Sequence, residues 1–362
     1  MKVIVNQKNL KQAVLVTEKI VSRNASLPIL SNILIKTENG RVRLSATNLE
    51  IGIHVFIGAK INEVGEITVP ARIFSDFVSA VSSEKINLST KNNILSISSD
   101  EYKTQILGSD SKDFPIIPKL KTDPIAAIKA ADLKNGLISV SDSIATSETR
   151  PELAGVFLGV KNNTATLAST DGFRLGEIVV PIKNKEPLSV ILPRSTVAEL
   201  IRVCSDFGGG ITIRSADNQI SFSNEDSELV SRVVDGNYPD YQKVIPERSL
   251  SKVLVKKDDL EKNVRLAGLF SSATSEVKLS YSGDTLTISS KNPDKGEIET
   301  TVLVSLKNEP FEISLNYRYI ADALKNIPVA DVIIEFTGQN NPFVIRPSGG
   351  QKATFLVMPL RT

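Results

Sequence analysis

The sequence predicts an α+β protein made of three tandem repeats of a β-rich domain, each with two helices. Three observations favour this fold class. The chain has 362 residues, more than one core of ordinary size needs. One helical pattern recurs at a constant interval. Between the helices, apolar and polar residues alternate with period two, which is typical of strands with one buried face.

The recurring helical pattern begins at Val69, Leu192 and Leu315, so consecutive copies lie 123 residues apart. Its three segments are VPARIFSDFVSAV, LPRSTVAELIRVC and LNYRYIADALKNI. In each segment, apolar residues spaced three and four apart fall on one face of a helix. Pro70 and Pro193 stand where proline is tolerated in the first turn. These segments therefore predict one helix in each repeat.

A second helix is expected at the start of each repeat. Its apolar residues are spaced four apart, in the pairs Leu10 and Val14, Leu133 and Leu137, and Leu260 and Val264. Asn9, Asp132 and Asp259 precede these pairs and are residue types suited to a helix start. Segments such as KTENGRVRL, VKNNTATL and SYSGDTLTI place Asn, Asp or Gly between alternating runs and predict hairpins.

Short polar segments bounded by proline separate the repeats. They are PKLKTD at 118–123 and PERSLSK at 246–252. We therefore predict three domains, at 1–122, 123–246 and 247–362, each near the usual size of an independent core. Units of this length indicate a string of whole domains, because solenoid repeats are about 20 to 45 residues long.

The composition excludes several classes of protein. No segment approaches the roughly 20 apolar residues that span a bilayer, and the first residues, MKVIVNQKNLKQ, contain no apolar signal core. A single cysteine, Cys204, favours a reducing compartment. We therefore expect a cytoplasmic protein with no membrane partner. The net charge is only +2, so any nucleic acid must bind where cations are concentrated.

The usual signatures of catalysis are missing from the sequence. The one histidine, His54, lies in the alternating segment IGIHVFI and is best interpreted as a strand residue with a satisfied hydrogen bond. Cys204 occupies an apolar helix position, which is typical of a buried small side chain. Asp110 and Asp113 have no third oxygen ligand nearby, and no GxxxxGK[ST] loop is present. We therefore predict no enzyme activity, no metal and no cofactor.

Six short motifs resemble the β subunit of bacterial DNA polymerase III, the DNA sliding clamp family. They are LPIL at 27–30, VPAR at 69–72, DFP at 113–115, TDGFRL at 170–175, YPDY at 238–241 and VMPLR at 357–361. The resemblance implies a head-to-tail homodimer that closes into a ring, with helices inside and sheets outside. It also implies a bacterial, nucleoid-associated processivity factor that encircles duplex DNA of any sequence.

The resemblance further implies which residues face DNA and which form the seam of the ring. Expected DNA-facing residues are Asn24, Arg72, Ser147 and Pro151, which match contact positions of the family. We add Arg23 and Arg150 as neighbouring cations and Arg194 as a basic residue of a predicted helix. Asn24, Pro151 and Glu152 depart from the family pattern, which favours an arginine and tyrosines there. The seam falls on Thr104 and Ile106 against Leu269 and Phe270, although the run LAGLF at 266–270 also suits a simple core.

A pocket for short peptides of partner proteins is the third implication of the resemblance. These partners are the replicative polymerase catalytic subunit, the clamp loader and other proteins with a clamp-binding motif. The matching positions are Leu153, Thr170, Gly172, Phe173, Arg174, Leu175, Pro239, Lys243, Val244, Pro342, Leu356, Met358, Pro359, Leu360 and Arg361. Two rival hypotheses remain at this stage: a β-domain scaffold that never touches DNA, and a nuclease or transferase.

Overall fold

The computed structural model describes residues 1–21, 27–147, 149–304, 309–350 and 352–360. Within these ranges, two helices lie in each repeat, as the sequence predicts. They are α1 (Gln7–Glu18), α2 (Ala71–Ala80), α3 (Ala130–Ser141), α4 (Arg194–Phe207), α5 (Lys257–Leu269) and α6 (Tyr317–Lys325). Strands make up most of the remaining structure, so the α+β class is confirmed.

The chain divides into two compact units, each made of two segments. The first unit contains Met1–Ala131 and Ala198–Val233, and the second contains Asp132–Val197 and Val234–Thr362. The chain passes from one unit to the other within α3 and again within α4. Each of these helices therefore begins in one unit and ends in the other. The three domains inferred from the linkers stay a prediction.

Twelve of the described strands lie in the first unit. They are β1 (Lys2–Asn6), β2 (Asn32–Glu38), β3 (Arg41–Thr47), β4 (Ile51–Glu63), β5 (Glu66–Pro70), β6 (Lys85–Lys91), β7 (Ile94–Ser98), β8 (Lys103–Leu107) and β9 (Ala126–Lys129). After the strands of the second unit that intervene, β15 (Gly210–Ala216), β16 (Gln219–Ser223) and β17 (Ser227–Arg232) complete it.

Antiparallel strands of the first unit pair in the order β9, β15, β16, β17, β4, β1, β6, β7 and β8. In addition, β3 pairs with β4, and β2 pairs with both β3 and β5. β4 pairs with β17 between Val55 and Ser227 and between Ile51 and Ser231. This pairing joins a strand of the first repeat to a strand of the second. Helices α1 and α2 bury Leu10, Val14, Phe74 and Val78.

The second unit contains the other strands. They are β10 (Gly155–Lys161), β11 (Thr164–Thr170), β12 (Arg174–Pro181), β13 (Lys183–Asn184), β14 (Leu188–Pro193), β18 (Ser251–Lys256), β19 (Glu276–Ser282), β20 (Thr285–Asn292), β21 (Gly296–Leu303), β22 (Phe311–Asn316), β23 (Asp331–Phe336), β24 (Phe343–Pro347) and β25 (Ala353–Val357). One sheet runs in the order β14, β10, β11, β12, β25, β24, β23 and β18, and a smaller one in the order β21, β20, β19 and β22.

The hairpin turns adopt the conformation that the Asn and Gly residues predict. Asn39 has φ +50°, and Asn92, Asn93, Asn162 and Asn163 also have positive φ. Asparagine tolerates this left-handed region better than most residues, and tight hairpins require it. Helix α4 ends at Phe207 just before Gly208 and Gly209, which both have φ +57°.

The predicted starts of the opening helices are wrong by two or three residues. α1 begins at Gln7, and the side chain of Asn6 caps it by accepting a hydrogen bond from the Asn9 backbone N–H at 3.2 Å. Asn9 therefore lies in the first turn. The same is true of Asp132 and Asp259, because α3 begins at Ala130 and α5 at Lys257. Acidic residues in a first turn still stabilise the helix through its dipole.

The interpretations of the histidine and the cysteine are confirmed. His54 is buried in β4, and its Nδ1 lies 2.8 Å from the Ser45 hydroxyl oxygen. Burial, with the nearby charges of Arg43 and Lys119, lowers the pKa of His54 to about 3. Cys204 is buried on the apolar face of α4. Neither side chain is therefore placed as a nucleophile or base at the surface.

Candidate functional site

An apolar row crosses four neighbouring strands of the second unit. Thr170 on β11 pairs with Leu175 on β12, Leu175 pairs with Leu356 on β25, and Leu356 pairs with Val344 on β24. Leu175, Leu356 and Val344 are buried in one cluster with Ala168. The strand register thus brings together three predicted pocket residues that lie up to 186 positions apart.

Three aromatic rings cover this row and were not among the predicted pocket residues. Tyr241, which follows the predicted Pro239, belongs to the same cluster, and Phe157 and Tyr238 pack against it. Ring centroids are 5.4 Å apart for Phe157 and Tyr238 and 6.0 Å apart for Tyr238 and Tyr241. The Tyr241 hydroxyl donates to the Glu177 carboxylate at 2.7 Å. Burial raises the pKa of both tyrosines, and the hydrogen bond to Glu177 raises that of Tyr241 further.

The turn between β11 and β12 is held by Asp171, a residue that the sequence analysis placed in a motif but not in the site. Its Oδ1 accepts hydrogen bonds from the backbone N–H groups of Phe173 at 2.9 Å and Arg174 at 3.0 Å. Gly172 supplies φ +90°, which other residues adopt only with strain. The turn consequently holds Phe173 outward, with 64% of its surface exposed.

Arg174 is fixed by two carboxylates and one ring. Its Nε donates to Asp171 Oδ2 at 3.0 Å, and its Nη1 donates to Asp322 Oδ2 on α6 at 2.6 Å. The guanidinium carbon lies 4.5 Å from the centroid of the Tyr319 ring. Planar guanidinium groups suit both kinds of contact. Arg174 was predicted from the sequence, whereas Asp322 and Tyr319 were not.

The segment after β25 is tied down at two points. The Met358 backbone N–H donates to the Phe173 carbonyl at 2.8 Å, and the Leu360 N–H donates to the Ser314 carbonyl of β22 at 2.9 Å. Met358, Pro359 and Leu360 are half-buried beside the exposed Phe173. A surface-accessible apolar segment therefore lies next to the buried row. Arg361 lies outside the described residues.

The other predicted pocket residues lie on short turns. Leu153 is buried in a 3₁₀ turn at Pro151–Leu153, and Pro239 is half-buried just before the turn at Tyr241–Val244. Within that turn Val244 is exposed, and Lys243 Nζ forms an ion pair with Asp240 Oδ2 at 2.9 Å. Pro342 is half-buried, and its carbonyl accepts from the Thr337 hydroxyl at 2.7 Å. None of these five described residues shares a strand pairing with the apolar row.

Comparison with known proteins gives one consistent family. Models of the DNA polymerase III beta subunit match the chain domain by domain: the N-terminal domain at 1–118, the central domain at 127–240 and the C-terminal domain at 242–361. The beta sliding clamp of Staphylococcus aureus is 30% identical over 359 residues, which cover 96% of this chain and 95% of that protein. The chain belongs to the DNA polymerase III beta subunit family.

Solved structures of beta subunit family members have the same fold. The DNA polymerase sliding clamp from Bacillus subtilis has a TM-score of 0.95 and 27% identity, covering 100% of this chain and 99% of that one. The DNA polymerase III beta subunit from Thermotoga maritima has a TM-score of 0.92 and 28% identity, with the same coverage. The resemblance inferred from six short motifs is therefore confirmed.

The predicted DNA-facing residues of this family member are mostly exposed. Arg72 is 90% exposed in the first turn of α2, with its Nε 3.9 Å from Asp76 Oδ2. Arg150 pairs with Glu152 at 3.0 Å between Nε and Oε1. Ser147, Pro151 and Arg194 are exposed as well. Arg23 and Asn24 lie outside the described residues, so their assignment stays a prediction.

A groove of about 770 Å³ lies along α1 in the first unit. Lys8, Lys11, Lys19 and Arg202 line it, together with Glu18 and Asp206. Lys19 Nζ pairs with Asp206 Oδ2 at 3.1 Å, and Lys11 Nζ donates to the Ser79 carbonyl at 3.1 Å. Basic side chains exceed acidic ones in this groove, which suits a polyanionic backbone.

The predicted seam residues lie on the edge strand β8 and at the end of helix α5. β8 contains Thr104, which is half-buried, and Ile106, which is buried. Leu269 at the end of α5 is 65% exposed, and the next residue, Phe270, is half-buried. The alternative that the run 266–270 is simple core is therefore wrong for Leu269. Among the described residues, no cluster of three metal-ligand side chains occurs, and no helix is long and apolar enough to cross a membrane.

Proposed function

We propose that this chain is a DNA sliding clamp that closes as a head-to-tail homodimer into a ring around duplex DNA. The observation that carries the proposal is the match of all three beta subunit domains, in order, along a single chain. A ring that encircles DNA holds it by topology, so a bound polymerase cannot diffuse away. The chain thereby confers processivity without a catalytic centre or a cofactor of its own.

Exposed apolar residues support the proposed seam. β8 and β21 each end a sheet among the described strands. Leu107 at the end of β8 is 73% exposed, and Leu303 at the end of β21 is also exposed, as is Leu269. Unpaired strand edges with apolar side chains favour association, and a head-to-tail contact that closes would cover these two edges in both subunits.

Exposed cations on the helices support the proposed contact with DNA. Arg72, Arg194 and Lys8 are exposed on helices, and Lys8 and Lys11 also line the groove along α1. Such side chains attract phosphates, which carry no sequence information. We therefore propose sequence-independent binding of duplex DNA, with Ser147, Arg150 and Pro151 near the backbone.

The apolar row and the C-terminal segment are proposed as the site for partner peptides. Met358 and Leu360 offer accessible apolar surface beside Phe173, and an unbranched methionine adapts to ligands of different shape. The proposed partners are the replicative polymerase catalytic subunit, the clamp loader and other proteins with a clamp-binding motif. A cytoplasmic, nucleoid-associated location follows from these partners.

Solution mass and shape test the proposed ring. Light scattering should give twice the 39.3 kDa chain mass, and small-angle X-ray scattering should fit a particle with a central hole. Leu269→Asp should give a monomer, because it places a charge at the proposed seam. Leu250→Asp is the matched control, since Leu250 is similarly exposed at 59% and its backbone N–H bonds to the Phe336 carbonyl on β23, a strand outside the proposed seam. A wild-type monomer at micromolar concentration would overturn the ring.

A further inference from the structure

The strand register of the first unit brings polar side chains from neighbouring strands onto one face of the sheet. Glu228 on β17 pairs with His54 on β4 and with Ser223 on β16. Directly opposed residues of antiparallel strands lie on the same face. Arg214 on β15 reaches this face as well, because its Nη1 donates to the Ser223 hydroxyl at 2.9 Å. His54 adds no charge there at neutral pH, since its pKa is about 3.

A cavity of about 470 Å³ lies over this face, and none of its lining residues is a predicted peptide, DNA-facing or seam residue. One wall is the segment 119–124, which lies between the first two repeats. The Thr122 hydroxyl of this wall donates to the Ser215 carbonyl at 3.4 Å. Just after it, the Ile125 N–H donates to the Ile213 carbonyl at 2.9 Å, so the wall is anchored to β15. The cavity is also lined by Phe56, Arg214, Ser223 and Glu228.

Two ion pairs at the cavity are each neutral. Arg41 Nη1 lies 2.8 Å from Asp226 Oδ1, and Arg43 pairs with Glu38. The Arg41 guanidinium carbon also lies 4.8 Å from the centroid of the Phe56 ring. The charge of the cavity is therefore set by its other ionisable groups.

The other ionisable groups make the cavity basic. They are three cations, Lys119, Lys121 and Arg214, and two carboxylates, Asp123 and Glu228, which together carry a net charge of +1. Lys119 and Lys121 are exposed, and among the described residues neither forms an ion pair. Two such lysines on one wall favour an anionic ligand, and phosphate is a group that lysine commonly binds.

Glu228 is half-buried in the cavity, and no described group donates a hydrogen bond to its carboxylate. Burial raises the pKa of this carboxyl, whereas the charges of Lys119 and Arg214 lower it. A carboxylate held away from bulk water is stabilised by donors, and its two oxygens can accept two parallel N–H bonds. The cavity therefore suits a ligand with phosphate at one end and paired N–H donors at the other.

We propose that this cavity binds a guanine nucleotide, whose phosphates contact Lys119 and Lys121 and whose base donates its N1–H and 2-amino N–H to Glu228. Guanine presents two adjacent N–H donors on its pairing edge, whereas adenine and cytosine present one donor beside an acceptor. The half-buried Phe56 ring gives the base an apolar neighbour. The nucleotide is either free or the end of a nucleic acid strand, since both offer the same groups.

Calorimetric titration of the full-length protein tests the recognition of base and phosphate separately. GDP should bind about tenfold more tightly than ADP, because guanine offers both donors to the carboxylate. IDP, which lacks the 2-amino group, should bind with an affinity between the two. Inorganic pyrophosphate should bind about tenfold more weakly than GDP, because it lacks the base. If pyrophosphate bound as tightly as GDP, or if GDP did not bind, the proposal would be wrong.

Two variants assign the binding to the cavity. Glu228→Gln should reduce the preference for GDP over ADP to about twofold or less, since an amide accepts through one oxygen only. Glu63→Gln is its matched control, because Glu63 is an exposed glutamate of β4 outside the cavity. Lys119→Ala should weaken GDP binding about fivefold and leave the preference over ADP unchanged. Lys60→Ala, another exposed residue of β4, should have no effect.

Thermal unfolding shows whether each variant is folded. A preference for GDP that survives in a folded Glu228→Gln variant would overturn the proposed contact. If that variant does not fold, unchanged GDP affinity in Lys119→Ala overturns the site, because Lys119 is exposed on the wall. A 5′-phosphorylated oligonucleotide with guanine at its first position distinguishes the two sources. Tighter binding than GDP supports the end of a strand as the ligand, and weaker binding supports a free nucleotide.

Discussion

The candidate peptide site and the helix cations differ in how firmly their side chains are held. Leu175 and Leu356 are buried in a strand row, and Arg174 is fixed by two ion pairs and a ring. Arg72 is 90% exposed, and its acidic neighbour lies 3.9 Å away. A pre-organised site concentrates binding free energy in a few residues, whereas exposed cations share it among many. Peptide binding should therefore be sensitive to single substitutions in the site. DNA binding should tolerate the substitution of a single cation.

Removal of residues 358–362 should have the largest effect. It deletes the apolar surface of Met358 and Leu360 and both backbone hydrogen bonds that anchor the segment. We expect polymerase peptides to bind more than about 100-fold more weakly, as for the loss of a cluster of central contacts. Isothermal calorimetry measures the affinity, and light scattering should still show a dimer. Removal of Thr362 alone is the control, and an unchanged affinity after the larger deletion would count against the site.

Acid should destabilise the first unit while sparing the peptide site. The pKa of His54 is about 3 in the folded protein, against 6.5 for an ordinary histidine. The unfolded chain therefore takes up a proton below about pH 6.5 while the folded chain stays neutral, so stability falls as pH falls. Relative to His54→Gln, the wild type should lose about 2 kcal/mol of unfolding free energy between pH 7.5 and pH 5.

Urea denaturation of both proteins at each pH measures this difference. Peptide affinity should change less than about twofold over the same range, because the chain contains one histidine and it lies in the first unit. If the unfolding free energies of wild type and His54→Gln changed equally with pH, His54 would not be buried in its neutral form.

Substitution of a single helix cation should have a smaller effect. Arg72→Ala should weaken binding of duplex DNA about twofold to fivefold and lower the slope of log K against log salt by about one. The loss should be the same for DNA of any sequence. Lys91→Ala is the control, because Lys91 is an exposed lysine in the sheet hairpin of β6 and β7. A sequence-dependent loss would argue for base contacts instead.

The smallest effect is expected at Arg150. Glu152 already pairs with its guanidinium. A hydrogen bond from the Glu152 backbone lowers the pKa of the Glu152 carboxyl most, and the hydrogen bond from Arg150 lowers it further. Arg150→Ala should therefore change DNA affinity less than about twofold, since an exposed pair contributes little. Glu152→Gln should strengthen binding slightly by releasing the cation. Electrophoretic mobility shifts at low salt resolve both, and a loss as large as that of Arg72→Ala would contradict the shielding by Glu152.

Sequence patterns predicted the parts of the fold that depend on local periodicity. The predicted apolar face of α4 contains Val197, Leu200 and Cys204, which are buried, and Ile201, which is half-buried. Asn and Gly turns were predicted because left-handed backbone favours those residues. The helix starts were missed: Asn6, rather than Asn9, caps α1. A cap depends on local backbone geometry, which the spacing of apolar residues does not specify.

The candidate site was predicted only in part. Thr170, Leu175 and Leu356 were predicted because their positions match pocket positions of a known family. Asp322 was missed because it meets Arg174 across 148 residues of sequence and a repeat boundary, where no local period applies. Tyr241 was overlooked although it ends the YPDY motif, since its packing against the row appears only once the strands are in register. The seam and the DNA-facing residues stay predictions.

Retention on DNA of defined topology tests the ring most directly. The protein is loaded on nicked circular duplex DNA with a clamp loader. Bound protein is then measured by gel filtration at high salt. The measurement is repeated after a restriction enzyme linearises the DNA. A closed ring should stay on the circle, because salt screens phosphate contacts but does not open a topological link, and it should slide off the linear form. Equal loss from circular and linear DNA would contradict the sliding clamp.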